Sequence, residues 1–109
     1  MERILAGNDH PTAMFCAGDI YAIGAINCVN AYGLKTPDDI SFIGLDNIQL
    51  SEYYTPPLTT IGYDNQNMGK LAMDSIINLI HQKPVMSIVV KSDTIIERKS
   101  VRQMTIPAS

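Results

Sequence analysis

The chain has 109 residues, of which 46% are hydrophobic, with a net charge of -3 and a pI near 5.1. That length supports one small core but not two full domains. Eleven acidic residues against eight basic ones argue against direct DNA binding, which needs a basic surface for phosphates. No apolar run is long enough to span a bilayer, and Met1-Glu2-Arg3-Ile4 lacks the apolar core of a secretory signal.

Residues 1–9 read as the tail of a helix stopped by Gly7-Asn8-Asp9. After Pro11, Thr12-Ala13-Met14-Phe15-Cys16-Ala17 forms a short apolar strand with Gly18-Asp19 at its carboxyl end. Asp19 suits the N-cap of a helix from Ile20 to Tyr32. Gly24 lies inside that helix, where glycine costs about 1 kcal/mol relative to alanine, so close packing against another backbone is expected there. Apolar residues cover most of the helix, so it should touch the sheet on one side and something else on the other. Gly33 is the expected C-cap, with Leu34 as its apolar contact.

Pro37-Asp38-Asp39 then opens Ile40-Ser41-Phe42-Ile43-Gly44-Leu45, which ends at Asp46-Asn47. A continuous apolar run of this length fits a strand buried on both faces, as in parallel sheets covered by helices. Strand, helix and strand make a right-handed βαβ unit. Ligands of open parallel sheets bind beyond the carboxyl ends of the strands, and Asp19 and Asp46 both stand there. Each also has a plainer reading, Asp19 as a helix cap and Asp46 as part of a polar turn.

Ile48 to Tyr54 reads as a short helical turn, broken by Thr55-Pro56-Pro57. Leu58-Thr59-Thr60-Ile61 is a strand or an extended crossing segment. Asp64 can cap a helix running to about His81, with Met68, Leu71, Ala72, Ser75, Ile76, Leu79 and Ile80 on one buried face. Ser87 to Lys91 and Thr94 to Arg98 are further strands, and the tail from Met104 to Ser109 is expected to fray. The basic cluster Lys91, Arg98, Lys99 and Arg102 is read as a solvated strand edge.

Local chemistry is sparse. Cys16 and Cys28 fall in apolar segments without CxxC spacing and are read as reduced core thiols of a cytoplasmic protein. His10 and His81 are isolated, so no metal site is expected, and no cofactor. No glycine-rich phosphate loop and no nucleophile elbow occurs. No catalytic residue is assigned, and an enzyme is not expected.

Several segments together resemble one family. They are Pro11 to Asp19 with Ala22-Ile23-Gly24-Ala25, Gly33 to Ser41, Ile43-Gly44-Leu45-Asp46-Asn47, Tyr54-Thr55-Pro56-Pro57-Leu58-Thr59-Thr60-Ile61, Met68-Gly69, and Ile96-Glu97-Arg98-Lys99-Ser100. In order and spacing they resemble the effector-binding core of the lactose/purine/galactose repressor family of bacterial transcription regulators, from about Pro11 to Val101. The resemblance implies an α/β, parallel-sheet, periplasmic-binding-protein-like type I fold of two lobes, present here as a C-terminal fragment. Residues up to about 60 and from 94 to 109 would belong to the C-terminal lobe, and about 61–93 to the N-terminal lobe. The DNA-binding domain would lie outside the chain.

The family positions carry over to this sequence residue by residue. Asp46 matches the acidic residue that binds effector hydroxyls or ring nitrogens. Gly18 stands where many members place an effector-contacting Asn, and purine-responsive relatives share a glycine there. With Asp19 these form the expected effector site. Ile20, Ile23 and Tyr54 match the dimer face of the C-terminal lobe. The implied function is the ligand sensor of a cytoplasmic transcription repressor. It would bind a sugar or purine-like effector, form a homodimer, reach operator DNA only through the missing N-terminal domain, and have no membrane partner. The alternative is the solute-binding protein of a sugar transporter, which shares the fold.

Overall fold

Three apolar stretches, β1 (Ala13–Phe15), β2 (Ser41–Leu45) and β3 (Thr59–Gly62), lie side by side as parallel strands. A fourth, β4 (Thr94–Ile96), completes the sheet in the order β1-β2-β3-β4 and runs antiparallel to β3. The computed structural model describes residues 1–91 and 94–105. Its helices are α1 (Glu2–Leu5), α2 (Asp19–Ala31), α3 (Gln49–Tyr53) and α4 (Asn65–Ile80). The expected mixed α/β fold with a mainly parallel sheet is therefore present.

The core lies between the sheet and α2. Ala22, Ile23, Ile26 and Val29 of the helix meet Ile40, Phe42 and Leu58, with Leu5 and Cys16 at the margin. Val29 and Ile26 are fully buried, one helical turn apart, as the three-to-four spacing requires. At the far end of α2, Gly33 adopts φ 77, its N–H donates to the Asn30 carbonyl and that of Leu34 to Val29. Leu34 packs on the core, which completes the expected glycine stop.

The end of the chain is tied into the sheet. The Ser100 hydroxyl is fully buried; it donates to the Phe42 carbonyl at 2.6 Å and accepts from the Thr59 N–H at 2.8 Å. The Phe42 N–H in turn donates to the Ser100 carbonyl. Ser100 therefore bridges β2 and β3 below the point where their own pairing starts, at Ile43 and Thr59.

Several expectations are corrected. The N-cap of α2 is Gly18, and Asp19 is already helical, with no side-chain cap bond. A Cβ on Gly24 would meet open space, so no backbone packs against it. No strand forms at Ser87 to Lys91. A strand exists by its ladder, and among the described residues none pairs with this segment. It runs instead past α4, where Met86, Ile88 and Val90 line an open cavity of about 300 Å³ with Met68, Leu71, Ala72 and Ser75. The apolar face expected to be buried on α4 is exposed: no residue of this helix is buried. Asp64 does cap α4, accepting from the Asn67 N–H at 3.0 Å. The tail beyond residue 105, expected to fray, lies outside the described residues.

Candidate ligand-binding site

Asp46 ends β2 at the carboxyl edge of the sheet, with β1 and β3 on either side. Its N–H donates to the Ile61 carbonyl at 2.9 Å. Its backbone then turns to φ 111, and Asn47 follows at φ 53. Non-glycine residues in this left-handed region cost on the order of 1–3 kcal/mol each and persist where surrounding structure holds them. The holding groups are all visible. The Asn47 N–H donates to Thr60 Oγ1 at 3.4 Å, and the Ile48 N–H to Asp19 Oδ2 at 3.0 Å. Arg98 Nη2 donates to Asn47 Oδ1 at 2.8 Å.

The N–H groups of the turn and Asn47 Oδ1 are thereby occupied, and the Asp46 carboxylate is not. It is exposed and has no hydrogen-bond or ion-pair partner among the described residues. An ionised carboxylate accepts several bonds and can hold a hydroxyl pair or a ring N–H.

Gly18 stands beside it. A Cβ there would lie 3.6 Å from Asp46 Oδ2 and 3.2 Å from the Tyr21 ring. The absent side chain leaves the approach to Asp46 open between the carboxylate and the ring. The structure thus brings Gly18 and Asp46 together.

Asp19 sits underneath, with no exposed surface. Oδ2 accepts from Ser51 Oγ at 2.5 Å as well as from Ile48, and Oδ1 accepts from Thr60 Oγ1 at 2.5 Å. A buried charge is tolerated where hydrogen bonds replace its water, and these three donors do so. Gly44 makes room for it: a Cβ there would fall 2.2 Å from Asp19 Oδ1. Asp19 joins α2, β3 and the start of α3, and it touches the site through the backbone rather than from within the crevice.

Of the residues expected on the dimer face, Ile20 is 60% exposed and Tyr54 half-buried, whereas Ile23 is packed in the core at 6% exposure. The outer side of α2 carries Ile20 and Tyr21 instead. The Tyr54 hydroxyl donates to Asn27 Oδ1, and burial pushes its pKa upward. Burial likewise pushes up the Cys16 thiol. Both cysteines are free, and among the described residues no cluster could hold a metal.

Arg98, Asn47 and Thr60 were missed as site residues. Arg98 is half-buried, not a solvated edge charge; its Nη1 donates to the Leu58 carbonyl and its N–H to Thr59 Oγ1, both at 2.9 Å. Its partner Asn47 lies 51 residues earlier, a pairing that no local pattern encodes.

A mainly parallel α/β sheet with a free carboxylate at the carboxyl end of an interior strand has the arrangement at which ligands of open α/β sheets bind. Residues 1–101 match the periplasmic binding protein-like domain, and the chain belongs to that family. It is 42% identical over 102 residues to the HTH-type transcriptional repressor PurR of Erwinia tasmaniensis, covering 93% of this chain and 30% of that repressor. The PurR repressor of Pasteurella multocida is 41% identical, covering 94% of this chain and 31% of its own length. Among solved structures, a LacI-type transcription regulator from Bifidobacterium animalis subsp. lactis superposes with a TM-score of 0.83 at 30% identity, over 94% of this chain and 37% of that one. The lac repressor dimer bound to operator and the anti-inducer ONPF superposes at 0.80 with 32% identity, over 91% of this chain and 35% of that one. These matches bear out the resemblance to the effector-binding core of the lactose/purine/galactose repressor family. The chain spans about a third or less of the length of these relatives.

Proposed function

We propose that this chain is the effector-sensing part of a bacterial DNA-binding transcription regulator, binding a sugar or purine-like molecule at the carboxyl end of its sheet. The observation that carries this reading is the Asp46 carboxylate, exposed and unpartnered among the described residues on a turn whose backbone N–H groups and Asn47 Oδ1 are held. Asp46 anchors the effector and Gly18 leaves room for it, while Asp19 acts from below. The relatives named above are transcription repressors and regulators, which favours this reading over a transporter's solute-binding protein. In the whole regulator, β1, β2, β3 and β4 build one lobe and α4 belongs to the other. The subunit pairs with a second copy through the outer side of α2 and Tyr54, works in the cytoplasm, and reaches operator DNA through a segment outside these residues.

The test is a thermal-shift screen of the full-length protein with hexoses, pentoses, purine bases and nucleosides, followed by calorimetry on Asp46→Asn. A hydrogen bond to a charged group contributes about 1.5–3 kcal/mol, so the variant should bind the hit about tenfold or more weakly. Its ligand-free melting temperature should barely move. Unchanged affinity with a lowered melting temperature would make Asp46 a structural residue and remove the site.

A further inference from the structure

We propose that Arg98 is a positioning residue for effector binding: through Asn47 it fixes the left-handed Asp46–Asn47 turn and so sets the direction of the Asp46 carboxylate. The inference rests on the reading of Asp46 as the effector anchor. Asp46 and Asn47 occupy φ 111 and φ 53 in succession; Asn tolerates the left-handed region better than most residues, whereas φ 111 at Asp46 persists only where surrounding structure holds it. The backbone N–H groups of residues 46, 47 and 48 are bound to Ile61, Thr60 and Asp19. The Thr60 contact, at 3.4 Å, is at the weak end for a hydrogen bond. The remaining hold on Asn47 is its side chain, and that is taken by the Arg98 guanidinium at 2.8 Å.

The guanidinium is itself anchored. Nη1 donates to the Leu58 carbonyl, and the Arg98 N–H donates to Thr59 Oγ1. A planar fork with one prong fixed on β3 presents the other in a defined direction, which the flexible point charge of lysine does not. Gly62 of β3 lies against both partners of this join: a Cβ there would fall 2.7 Å from Ile96 Cδ1 of β4 and 3.4 Å from the Asn47 Cβ. Arg98 follows β4, so the segment returning to the sheet after α4 is bonded directly to the turn that bears the anchor. Displacing that return segment would therefore turn the Asp46 carboxylate, which links the position of the chain's last strand to the state of the site.

The test needs no effector. Three-bond HN–Hα couplings and Cα chemical shifts report φ at residues 46 and 47 in the full chain. Arg98→Ala should move both residues away from their left-handed values toward a conformational average, while β1–β2 contacts stay intact. Arg98→Lys should move them part of the way. Asn47→Asp keeps an acceptor facing Arg98 and should preserve the turn. Combining Arg98→Ala with Asn47→Asp should then displace Asp46 as far as Arg98→Ala alone. Should Arg98→Ala not fold, Arg98→Lys decides. Couplings and shifts at 46 and 47 that stay unchanged in the folded Arg98 variants overturn the proposal. The Asp46→Asn calorimetry judges the effector reading separately, so the two ideas fail on different measurements.

Discussion

Asp19 is a carboxylate without exposed surface whose donors lie 29, 32 and 41 residues away along the chain. Removing it strands the Ser51 and Thr60 hydroxyls and the Ile48 N–H together. With about 1.5–3 kcal/mol per bond to a charged acceptor and incomplete additivity, Asp19→Ala should cost about 3 kcal/mol or more in urea unfolding. A loss below about 1 kcal/mol would mean that water replaces the carboxylate. Gly44→Ala attacks the same place from the strand, because its Cβ would fall on Asp19 Oδ1. Overpacking of this kind costs about 1–3 kcal/mol, again read as a lowered urea midpoint. From sequence, Asp19 at the start of a helix reads as a cap, since the cap rule is local and its true partners are not. The place of Asp46 at the carboxyl end of an interior strand was legible because its evidence is local: an apolar run that stops at a carboxylate. Arg98 was not, because a charge near a strand end looks solvated until the opposing turn is known.

At the level of elements, periodicity named the strands and helices but not what covers them. The three-to-four spacing in α4 describes a face that is real and exposed. Ser87 to Lys91 has strand-like residues and no ladder. In both cases the missing term is a neighbour, and sequence pattern reports only a segment's readiness to meet one. The cap of α4 is separable from the sheet for the same reason. Asp64→Ala should remove about 1 kcal/mol from the helix, seen as lost helical ellipticity, while the Phe42 and Thr59 amides, bonded to Ser100, keep their protection from hydrogen exchange. The two thiols should also separate. Cys16 is buried and its pKa is raised, whereas Cys28 is partly exposed. Ellman's reagent should therefore react in two phases, the slow one accelerating with denaturant. A raised folded-state thiol pKa means that the unfolded chain ionises first, so this contribution to stability holds at neutral pH and declines as pH climbs past the thiol's ordinary 9.0.

For the whole molecule, the accessible surface is 8104 Å², against about 6000 Å² for a compact monomer of this mass. The radius of gyration is 18.6 Å, where about 13 Å is usual for this length. α4 and the segment after it contribute to this surface: Leu79, Ile80, Met86 and Val89 are each more than 60% exposed. Exposed apolar area on this scale marks an interface, so the isolated chain should self-associate, and light scattering at high concentration should exceed monomer mass. A stable monomer there would refute this. Because Ile23 is in the core, Ile20→Glu is the fair probe of the outer side of α2; Ile23→Glu should simply unfold the chain.

The ties of Ser100 and Arg98 to β2, β3 and the Asp46–Asn47 turn have a consequence for biosynthesis. The turn is made before its clamp, which arrives 51 residues later, roughly 3–10 s at elongation rates of about 5–20 residues per second. During that interval β1, β2 and β3 leave the ribosome with the slot for Ser100 unfilled and Asn47 unheld. The Asp46–Asn47 turn thus takes its final shape only after the strands beside it have been made. A nascent chain stalled before Arg98 should expose its sheet to protease, and one released past Arg102 should not.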